Sequence, residues 1–437
     1  MSRYAVAASW LLFALGCQGE LTAHRASAAL PAPVPPIAAS ELPVQGYAPP
    51  DGGTTPGTDL RCTVDLSKPQ QSDYAAPGPF AVGKLDVTFE DTSRPIVATE
   101  THAAAPSRKL VTTIYYPAAP TRALFGGDPV AAGGPFPLIM YSHGYSSTRG
   151  EATHVGERAA SHGYFVVSPD FPLSNLLANN GAPEGSDAHN QAGDITYLID
   201  QMVALSRDPE HLFANAIDDS RIGATGVSMG GFTTLLATFH PTLHDPRIKV
   251  SVPMAPLSAL FMEGFYHTRE VPVLFIHGDI DAFLAYEHSR QAFAWAAPNA
   301  RLMTLKQGTH AAFAMQLDDT TVELMNALLA PPGYHPTNPD AYGCGAVAET
   351  LANGPSVGAG LGGEENFVDQ EIAARMAPCT GDEYKLPAMK ATEQVNLAAT
   401  AVVAMFDAHL AATPEARSDG CRCLLQELPK HPSVTME

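Results

Sequence analysis

With 437 residues, the chain is long enough for one large core with additions or for two domains. Acidic residues outnumber basic ones by 45 to 25, and a chain with a formal charge of -20 is not expected to seek nucleic acid or an anionic membrane surface. Hydrophobic residues make up 45% of the sequence, an ordinary share for a globular protein. We interpret the acidic excess as a solubilising surface.

The N-terminus has the pattern of an export signal. A short basic start is followed by an apolar stretch over residues 4–15, too short to span a bilayer, and then by Ala14-Leu-Gly-Cys17. Small residues directly before a cysteine resemble a bacterial lipobox, which predicts removal of residues 1–16 and lipidation of Cys17. This pattern predicts an outer-membrane or cell-surface lipoprotein. The alternative is a periplasmic or secreted protein whose signal is cut near Ala26 or Ala29.

Residues 17–77, rich in Ala, Pro and Gly, predict a flexible tether that leads to a folded core at 78–330. Apolar runs predict strands, and helical spacing predicts helices, that alternate after residue 136. This alternation predicts an α/β fold with a mostly parallel sheet covered by helices on both faces. The first two strands follow one another without a helix and are expected to form an antiparallel edge. The predicted strands are 84–90, 109–116, 136–142, 164–168, 221–227, 248–254, 271–276 and 301–305, and the predicted helices are 151–162, 192–206, 229–239, 285–296, 317–329 and 391–411.

The third predicted strand ends in a candidate oxyanion loop, His143-Gly-Tyr145. The backbone N–H of Tyr145 is a candidate donor to the negative oxygen that develops when a carbonyl is attacked. We interpret His143 as a structural histidine that braces this loop.

Gly226-Val-Ser228-Met-Gly230 lies where the strand at 221–227 turns abruptly into the helix at 229–239. This context is typical of a nucleophile elbow, a tight turn from which a serine hydroxyl projects beyond the sheet edge. The flanking glycines are needed because a Cβ at either position would collide with neighbouring backbone. Ser228 is therefore the candidate nucleophile, and the Met229 N–H is the second candidate oxyanion donor.

A serine nucleophile needs a base that takes its proton and a third group that orients the base. The strand at 271–276 leads into Gly278-Asp-Ile-Asp281, and the next strand leads into Gly308-Thr-His310. His310 is the candidate base. Asp281 is the preferred acid, and Asp279 is the alternative. Ser228, Asp281 and His310 each follow the carboxyl end of a strand, where open α/β sheets place their ligand sites.

These motifs resemble an α/β-hydrolase of the dienelactone hydrolase, platelet-activating factor acetylhydrolase and bacterial cutinase-like group. The chain order of the triad candidates is the order of that fold, and His143-Gly-Tyr-Ser146 looks like the oxyanion loop of polyester-cleaving cutinases. The resemblance covers roughly 78–330 and 395–410. It implies an α/β-hydrolase fold and hydrolysis of carboxylic esters through an acyl-enzyme intermediate, with no cofactor and no metal. Those cutinases carry an aromatic residue or histidine before the serine and a run of glycines after it, whereas this chain has Val227 and Phe232.

Several functions use the same triad and stay open at this point. A polyester hydrolase, a phospholipid acylhydrolase and a lactone hydrolase are the rivals among ester hydrolases, and a peptidase or an acyltransferase shares the machinery. A different class is a catalytically silent lipoprotein that binds a ligand, although degenerate hydrolases usually lose a triad member. The expected partner is a small or polymeric ester, with a membrane contact only through Cys17.

Residues 331–389, rich in Gly, Pro and Asn, separate the base from the last core helix at 390–412 and predict an insertion. We expect this insertion to shape substrate choice rather than the chemistry, either as a lid or as a surface excursion. Phe283 and Phe313 follow the acid and the base closely. They are candidate substrate-binding walls of the acyl pocket, together with Tyr145, and core packing is the alternative for both phenylalanines.

Six cysteines fit an oxidising compartment, where at least one disulfide is expected. The first pairing is Cys344 with Cys379, which would staple the insertion. Cys62 with either Cys421 or Cys423 would tie the N-terminal region to the tail at 413–437. The Cys-Arg-Cys of the tail lacks the second cysteine pair or histidine spacing of a zinc site.

Overall fold

A nine-stranded sheet runs through the residues that the computed structural model describes, which are 62–65, 70–99, 102–119, 131–178, 181, 183–314, 318–346 and 378–437. The predicted export signal, Cys17 and most of the predicted tether lie outside these residues. The strands are β1 (Ala81–Asp91), β2 (Arg108–Ala118), β3 (Phe136–Ser142), β4 (Phe165–Asp170), β5 (Ile217–Val227), β6 (Ile248–Met254), β7 (Val273–Gly278), β8 (Ala300–Leu305) and β9 (Val434–Met436).

The spatial order of the strands is β1-β2-β4-β3-β5-β6-β7-β8-β9. The pairs β1–β2, β2–β4 and β8–β9 are antiparallel, and every pair from β4–β3 to β7–β8 is parallel. The predicted fold class, a mostly parallel α/β sheet with an antiparallel N-terminal edge, is therefore confirmed.

Helices connect and cover the strands. They are α1 (Thr153–Ser161), α2 (Ala188–Arg207), α3 (Met229–Phe239), α4 (Glu263–Tyr266), α5 (Tyr286–Trp295), α6 (Ala311–Ala314), α7 (Asp319–Leu329), α8 (Asp340–Ala346), α9 (Ala391–Leu410) and α10 (Pro414–Arg422). Short helical turns occupy Arg149–Ala152, Gly185–Asp187, Ser258–Leu260, Glu383–Lys385, Cys423–Glu427 and Leu428–Lys430. Among the described residues, none of these helices combines the length and the hydropathy that a membrane crossing requires.

Two hydrophobic layers cover the two faces of the sheet, as alternation along the strands requires. In β3, Leu138 and Met140 belong to the layer that contains α2 and α3. Ile139 and Tyr141 belong to the opposite layer, which contains α1 and α9. Both faces of β3 are covered, and its sequence is therefore apolar along its length. Such a continuous apolar run is typical of a buried parallel strand.

No helix or strand is predicted for the C-terminal tail, yet it has regular structure. It forms α10, which packs against α9, and then β9, which extends the sheet beyond β8 with Met436 opposite Met303. A three-residue strand carries too little periodicity to be recognised in a sequence, and it forms here because the edge of β8 offers backbone partners.

The predicted tether also differs in its last part, because residues near Tyr74 pack against the core. Tyr74 is only 1% exposed, and its hydroxyl donates to Asp407 Oδ2 at 2.8 Å. The backbone N–H groups of Gln71 and Ser72 donate to Asp419 Oδ2. The Ala, Pro and Gly content of the segment conceals this aromatic anchor.

Candidate functional site

Ser228 occupies the sharp turn between β5 and α3. Its φ of 58° and ψ of -119° place it in a conformation that residues with a side chain rarely adopt, a kind of strain that clusters at functional sites. A Cβ at Gly226 would lie 2.5 Å from the Ser142 carbonyl oxygen, and a Cβ at Gly230 would overlap that same oxygen. The two glycines therefore allow β3 to approach the turn closely, as the sequence pattern predicts. The Ser228 N–H donates to Met254 O at 2.9 Å and holds the turn against β6.

The candidate oxyanion loop lies beside this turn. A Cβ placed on Gly144 would be 3.5 Å from Ser228 Cβ, so the loop and the serine are neighbours. The Gly144 N–H donates to the Glu151 carboxylate, with distances of 3.2 and 3.3 Å to its two oxygens, which holds the peptide just before Tyr145. Met229 is the first residue of α3, and the first amides of a helix have no acceptor within the helix. The two candidate oxyanion donors thus belong to segments that meet at the serine.

His143 braces the oxyanion loop. The ring is fully buried, its Nε2 accepts the Phe171 N–H at 3.1 Å, and its Nδ1 lies 2.7 Å from Gly144 O. Since Phe171 supplies a donor, Nε2 carries no proton and Nδ1 donates. Burial lowers the pKa of His143, in keeping with a neutral ring whose two nitrogens are engaged by backbone.

Glu151 is a buried carboxyl that the sequence analysis did not single out. It lies in the helical turn after the oxyanion loop and accepts the Tyr141 hydroxyl at 3.1 Å in addition to the Gly144 N–H. Burial raises the pKa of Glu151 to about 7, against hydrogen bonds that act in the opposite direction. Its charge also acts on His310, so the oxyanion loop and the base are within electrostatic reach of each other.

The structure brings Asp281 against two histidines. Its Oδ2 lies 2.7 Å from His310 Nδ1 and 3.1 Å from His277 Nε2, and its Oδ1 accepts the N–H groups of Phe283 and Leu284 at 2.9 and 2.8 Å. Burial alone would raise the pKa of this carboxyl. The charges and hydrogen bonds of the two histidines outweigh burial and hold the pKa of Asp281 well below its usual range.

Asp279, the alternative acid, takes part in a different set of contacts. Its Oδ1 accepts the Gln307 N–H at 2.6 Å, and its own N–H donates to Leu305 O. Asp279 therefore joins the turn after β7 to the turn after β8. The His310 side chain bonds to Asp281 instead.

His310 has the surroundings of a general base. Its side chain is 12% exposed, and because Nδ1 donates to Asp281, Nε2 carries the lone pair that can take a proton. Burial lowers the pKa of His310, but the Asp281 carboxylate, with smaller effects from Asp340 and Glu151, outweighs burial and raises this pKa above its ordinary value.

The three candidate substrate-binding residues lie in different surroundings. The Phe283 ring is half-buried, with its centroid 5.2 Å from that of His310, and Tyr145 donates its hydroxyl to Pro183 O at 2.6 Å. Phe313 is 0% exposed and belongs to the hydrophobic layer with α9. For Phe313 the structure therefore favours core packing, the alternative that the sequence left open, over a place in the acyl pocket.

Two further residues near the triad escaped the sequence analysis. His277 lies at the end of β7, inside a run that reads only as a buried strand, and Asp340 lies in the insertion. Asp340 accepts N–H groups from the loops that carry both Asp281 and His310. Neither residue has a local signal, since both reach the site only through the packing of distant segments.

The sheet, the elbow at Ser228 and the chain order of Ser228, Asp281 and His310 define an α/β-hydrolase. The family described as "PETase: PET hydrolase-like" matches residues 91–326, more than half of the chain, and the protein belongs to this family.

Individual relatives agree with this family. The chain is 27% identical over 205 residues to "Cutinase est1" of Thermobifida alba, a match that covers 45% of this chain and 62% of that protein. It is 29% identical over 161 residues to "Cutinase 2" of Thermobifida cellulosilytica, covering 36% of this chain and 53% of that protein. The matches thus span less than two thirds of the length of these cutinases.

A solved structure shares the fold. A ferulic acid esterase from Streptomyces cinnamoneus superposes with a TM-score of 0.50 at 20% sequence identity, over 83% of this chain and 98% of that chain. At this identity the likeness concerns the fold alone.

Proposed function

We propose that this protein is a serine hydrolase that cleaves carboxylic esters through an acyl-enzyme intermediate. The observation that carries the proposal is the 2.7 Å hydrogen bond between Asp281 and His310, at the sheet edge where Ser228 occupies a strained turn beside the oxyanion loop. An aspartate that orients a histidine gives the base the correct tautomer for taking a serine proton.

The steps follow from these contacts. His310 Nε2 takes the hydroxyl proton as Ser228 attacks the ester carbonyl, and Asp281 stabilises the imidazolium that results. The N–H groups of Tyr145 and Met229 stabilise the oxyanion, for which the loss of one donor typically costs roughly 10²- to 10³-fold in rate. His310 then gives its proton to the leaving alcohol. Water, activated by the same histidine, releases the acid and restores the serine.

A fluorophosphonate probe and an ester series test this proposal. We expect the wild type to be labelled and to hydrolyse p-nitrophenyl esters, and Ser228→Ala to lose both activities with its melting temperature nearly unchanged. Ser220→Ala is the matched control, since this exposed serine lies on the same strand and its hydroxyl donates to Asp218. Turnover by Ser228→Ala at the wild-type rate would exclude Ser228 as the nucleophile.

A polyester is the second candidate substrate, favoured by the match to the PET hydrolase-like family and by the cutinase names of the relatives. A panel of p-nitrophenyl esters from acetyl to long acyl chains, a feruloyl ester and a polyester film separates the candidates. Release of soluble fragments from the film at a rate that depends on Ser228 supports the polymer. Turnover of soluble esters with no release from the film supports a small ester or a phospholipid.

We further propose that the protein is exported and anchored through a lipidated Cys17. The lipobox-like Ala14-Leu-Gly-Cys17 supports this proposal, and so do two disulfides, which persist in oxidising compartments. In a Gram-negative host the wild type is expected to incorporate labelled fatty acid and to partition with membranes, and Cys17→Ser to do neither. A mature wild-type protein that is soluble and begins beyond residue 20 would contradict the anchor.

A further inference from the structure

The insertion at 331–389 reaches the two loops that carry the acid and the base. Asp340, the first residue of α8, is 0% exposed and receives three backbone donors. Its Oδ2 accepts the Ala282 N–H at 2.9 Å and the His310 N–H at 3.0 Å, and its Oδ1 accepts the Ala311 N–H at 2.7 Å. One carboxylate therefore joins the residue after Asp281 to the base itself.

A second contact closes this arrangement around Ala282. The Cys379 N–H donates to Ala282 O at 2.6 Å, so the insertion holds both the N–H and the carbonyl of the residue that follows the acid. Cys379 is bonded to Cys344, which lies in the same helix as Asp340. We call Asp340, Cys344 and Cys379 the clamp.

The helix α8, which carries two of the clamp residues, also packs against Phe283, a neighbour of the base. A Cβ at Gly343 would lie 2.5 Å from Phe283 Cζ, so α8 approaches the Phe283 ring closely. The Phe283 ring in turn lies next to the His310 imidazole. The described part of the insertion thus contacts the loops of both triad residues, so a role in the chemistry joins the predicted role in substrate choice as a hypothesis.

We propose that Asp340 is a positioning residue for the hydrolysis proposed above, holding the acid loop and the base loop in register and stabilising the protonated form of His310 by its charge. A carboxylate is suited to this task because it offers several lone pairs to backbone donors from different segments. Errors of about 1 Å in the placement of catalytic groups can cost roughly 10²-fold in rate, which is the scale at which such a brace matters.

The pH profile of activity depends on the charges around the clamp, and a merely structural residue would not shift it. The charges of Asp281 and His310 act on Asp340, and the charge of Asp340 acts on the Tyr342 hydroxyl. The charges of Asp281, Asp340 and Glu151 act on His310. Burial, followed by the charge of Asp281, raises the pKa of Asp340 to about 6. Loss of the Asp340 charge removes one of the groups that raise the pKa of His310. The acid limb of the pH profile should then move to lower pH.

Asp340→Asn tests the proposal, because an amide keeps the size but offers one acceptor oxygen and turns an NH₂ toward a backbone donor. We expect kcat for p-nitrophenyl acetate to fall about 10- to 100-fold, with KM little changed and the acid limb of kcat displaced to lower pH. Titration of active sites with the fluorophosphonate corrects for any misfolded fraction. Asp382→Asn is the matched control within the insertion, since its side chain is 81% exposed and pairs with Lys385 at the surface.

Two further variants separate position from charge. Asp340→Glu keeps the charge but displaces it, and Cys344→Ser/Cys379→Ser opens the clamp while Asp340 remains. Both are expected to lower kcat without moving the acid limb to lower pH. Wild-type kcat and an unmoved limb in Asp340→Asn would overturn the proposal. If that variant does not fold, wild-type kcat in the Glu variant or in the double serine variant would overturn it.

Failure of the proposed function gives a different result. A wild type that neither hydrolyses esters nor reacts with the fluorophosphonate sinks the hydrolase proposal. The His310 imidazole can still be titrated by NMR in the wild type and in Asp340→Asn. A lower His310 pKa in the variant then supports the brace by itself, and identical titrations overturn it.

Discussion

Asp281 has four hydrogen-bond donors around its two carboxylate oxygens, and two of them are histidines. His277 Nε2 faces two acceptors, Asp281 Oδ2 and Leu284 O, so this nitrogen carries the proton. Its Nδ1 lies 2.7 Å from the Ser289 hydroxyl. His277 therefore orients the acid in the way that the acid orients His310, and both contacts use one carboxylate oxygen, Oδ2.

The ranking of the two candidate acids is the first prediction. Asp281→Asn should lower kcat about 10⁴-fold, because an amide cannot hold His310 in the tautomer that takes the serine proton. Asp279→Asn keeps an oxygen for the Gln307 N–H, so its kcat should fall less than about tenfold. Steady-state kinetics on p-nitrophenyl acetate decide the ranking, and the reverse order would transfer the role of the acid to Asp279.

The pH dependence of the wild type is the second prediction. His310 must be neutral to act as a base, so kcat/KM should fall as the pH drops through its folded pKa, which lies above the ordinary value of 6.5. The cause is the set of carboxylates that outweighs burial. Profiles with an acetyl and a butyryl ester should share this limb if it reports the free enzyme. A limb at or below 6.5 for both esters would contradict the charges assigned to the site.

At the scale of elements, a buried ion cluster fastens β2 to α2. Arg108 of β2 is 2% exposed, and its guanidinium lies 2.7 Å from both Asp187 and Asp194. Arg94 adds a second cation at 2.6 Å from Asp194. Burial raises the pKa of Asp194 even though both arginines oppose the shift, so these carboxylates depend on their cations.

The third prediction concerns this cluster. Arg108→Met should lower the free energy of unfolding by about 3–5 kcal/mol, because two carboxylates stay buried without their main partner. Arg207→Ala is the control, since it breaks an ion pair with Asp219 whose side chains are 74% and 48% exposed. Such a surface pair contributes about 0–1 kcal/mol. Urea unfolding followed by circular dichroism gives both values, and equal losses would refute the distinction.

At the scale of the whole molecule, two disulfides perform different tasks. The pairing of Cys344 with Cys379 is confirmed, and Cys62 pairs with Cys421. Cys423, the free cysteine of the described residues, is buried. The Cys62–Cys421 bond spans 359 residues and ties the segment before β1 to α10, whereas the Cys344–Cys379 bond spans 35 residues and closes the clamp.

The fourth prediction separates these tasks. Loop-closure entropy assigns about 6 kcal/mol to a bridge of the longer span and about 4 kcal/mol to the shorter. Cys62→Ser/Cys421→Ser should therefore lower the melting temperature more, and Cys344→Ser/Cys379→Ser should lower kcat more. Calorimetry and ester kinetics on the same two preparations check both rankings. If the same variant has both the lower melting temperature and the lower kcat, stability and activity are not divided between the two disulfides in this way.

Local patterns in the sequence predict most of the frame. Buried parallel strands are continuous apolar runs, and the glycines around Ser228 mark the one turn where β3 must approach the backbone, so strand positions and elbow are both visible in the chain. The succession of Ser228, Asp281 and His310 follows from strands that end at one edge of the sheet. The strand and elbow signals depend on residues within about ten positions of one another, a range over which periodicity and turn chemistry operate.

Only the tertiary structure decided the rest, because it depends on segments that are distant in sequence. Asp281 rather than Asp279 meets His310, Cys421 rather than Cys423 meets Cys62, and Phe313 faces the core, although in each case sequence spacing leaves the alternatives equally near. Asp340 lies 30 positions from His310 and 58 from Ala282, and no local pattern marks a buried carboxylate that takes its donors from elsewhere. The sequence by itself determined the α/β frame and the triad candidates, and packing decided which groups orient them, since contacts between loops exist only once the sheet has brought the loops together.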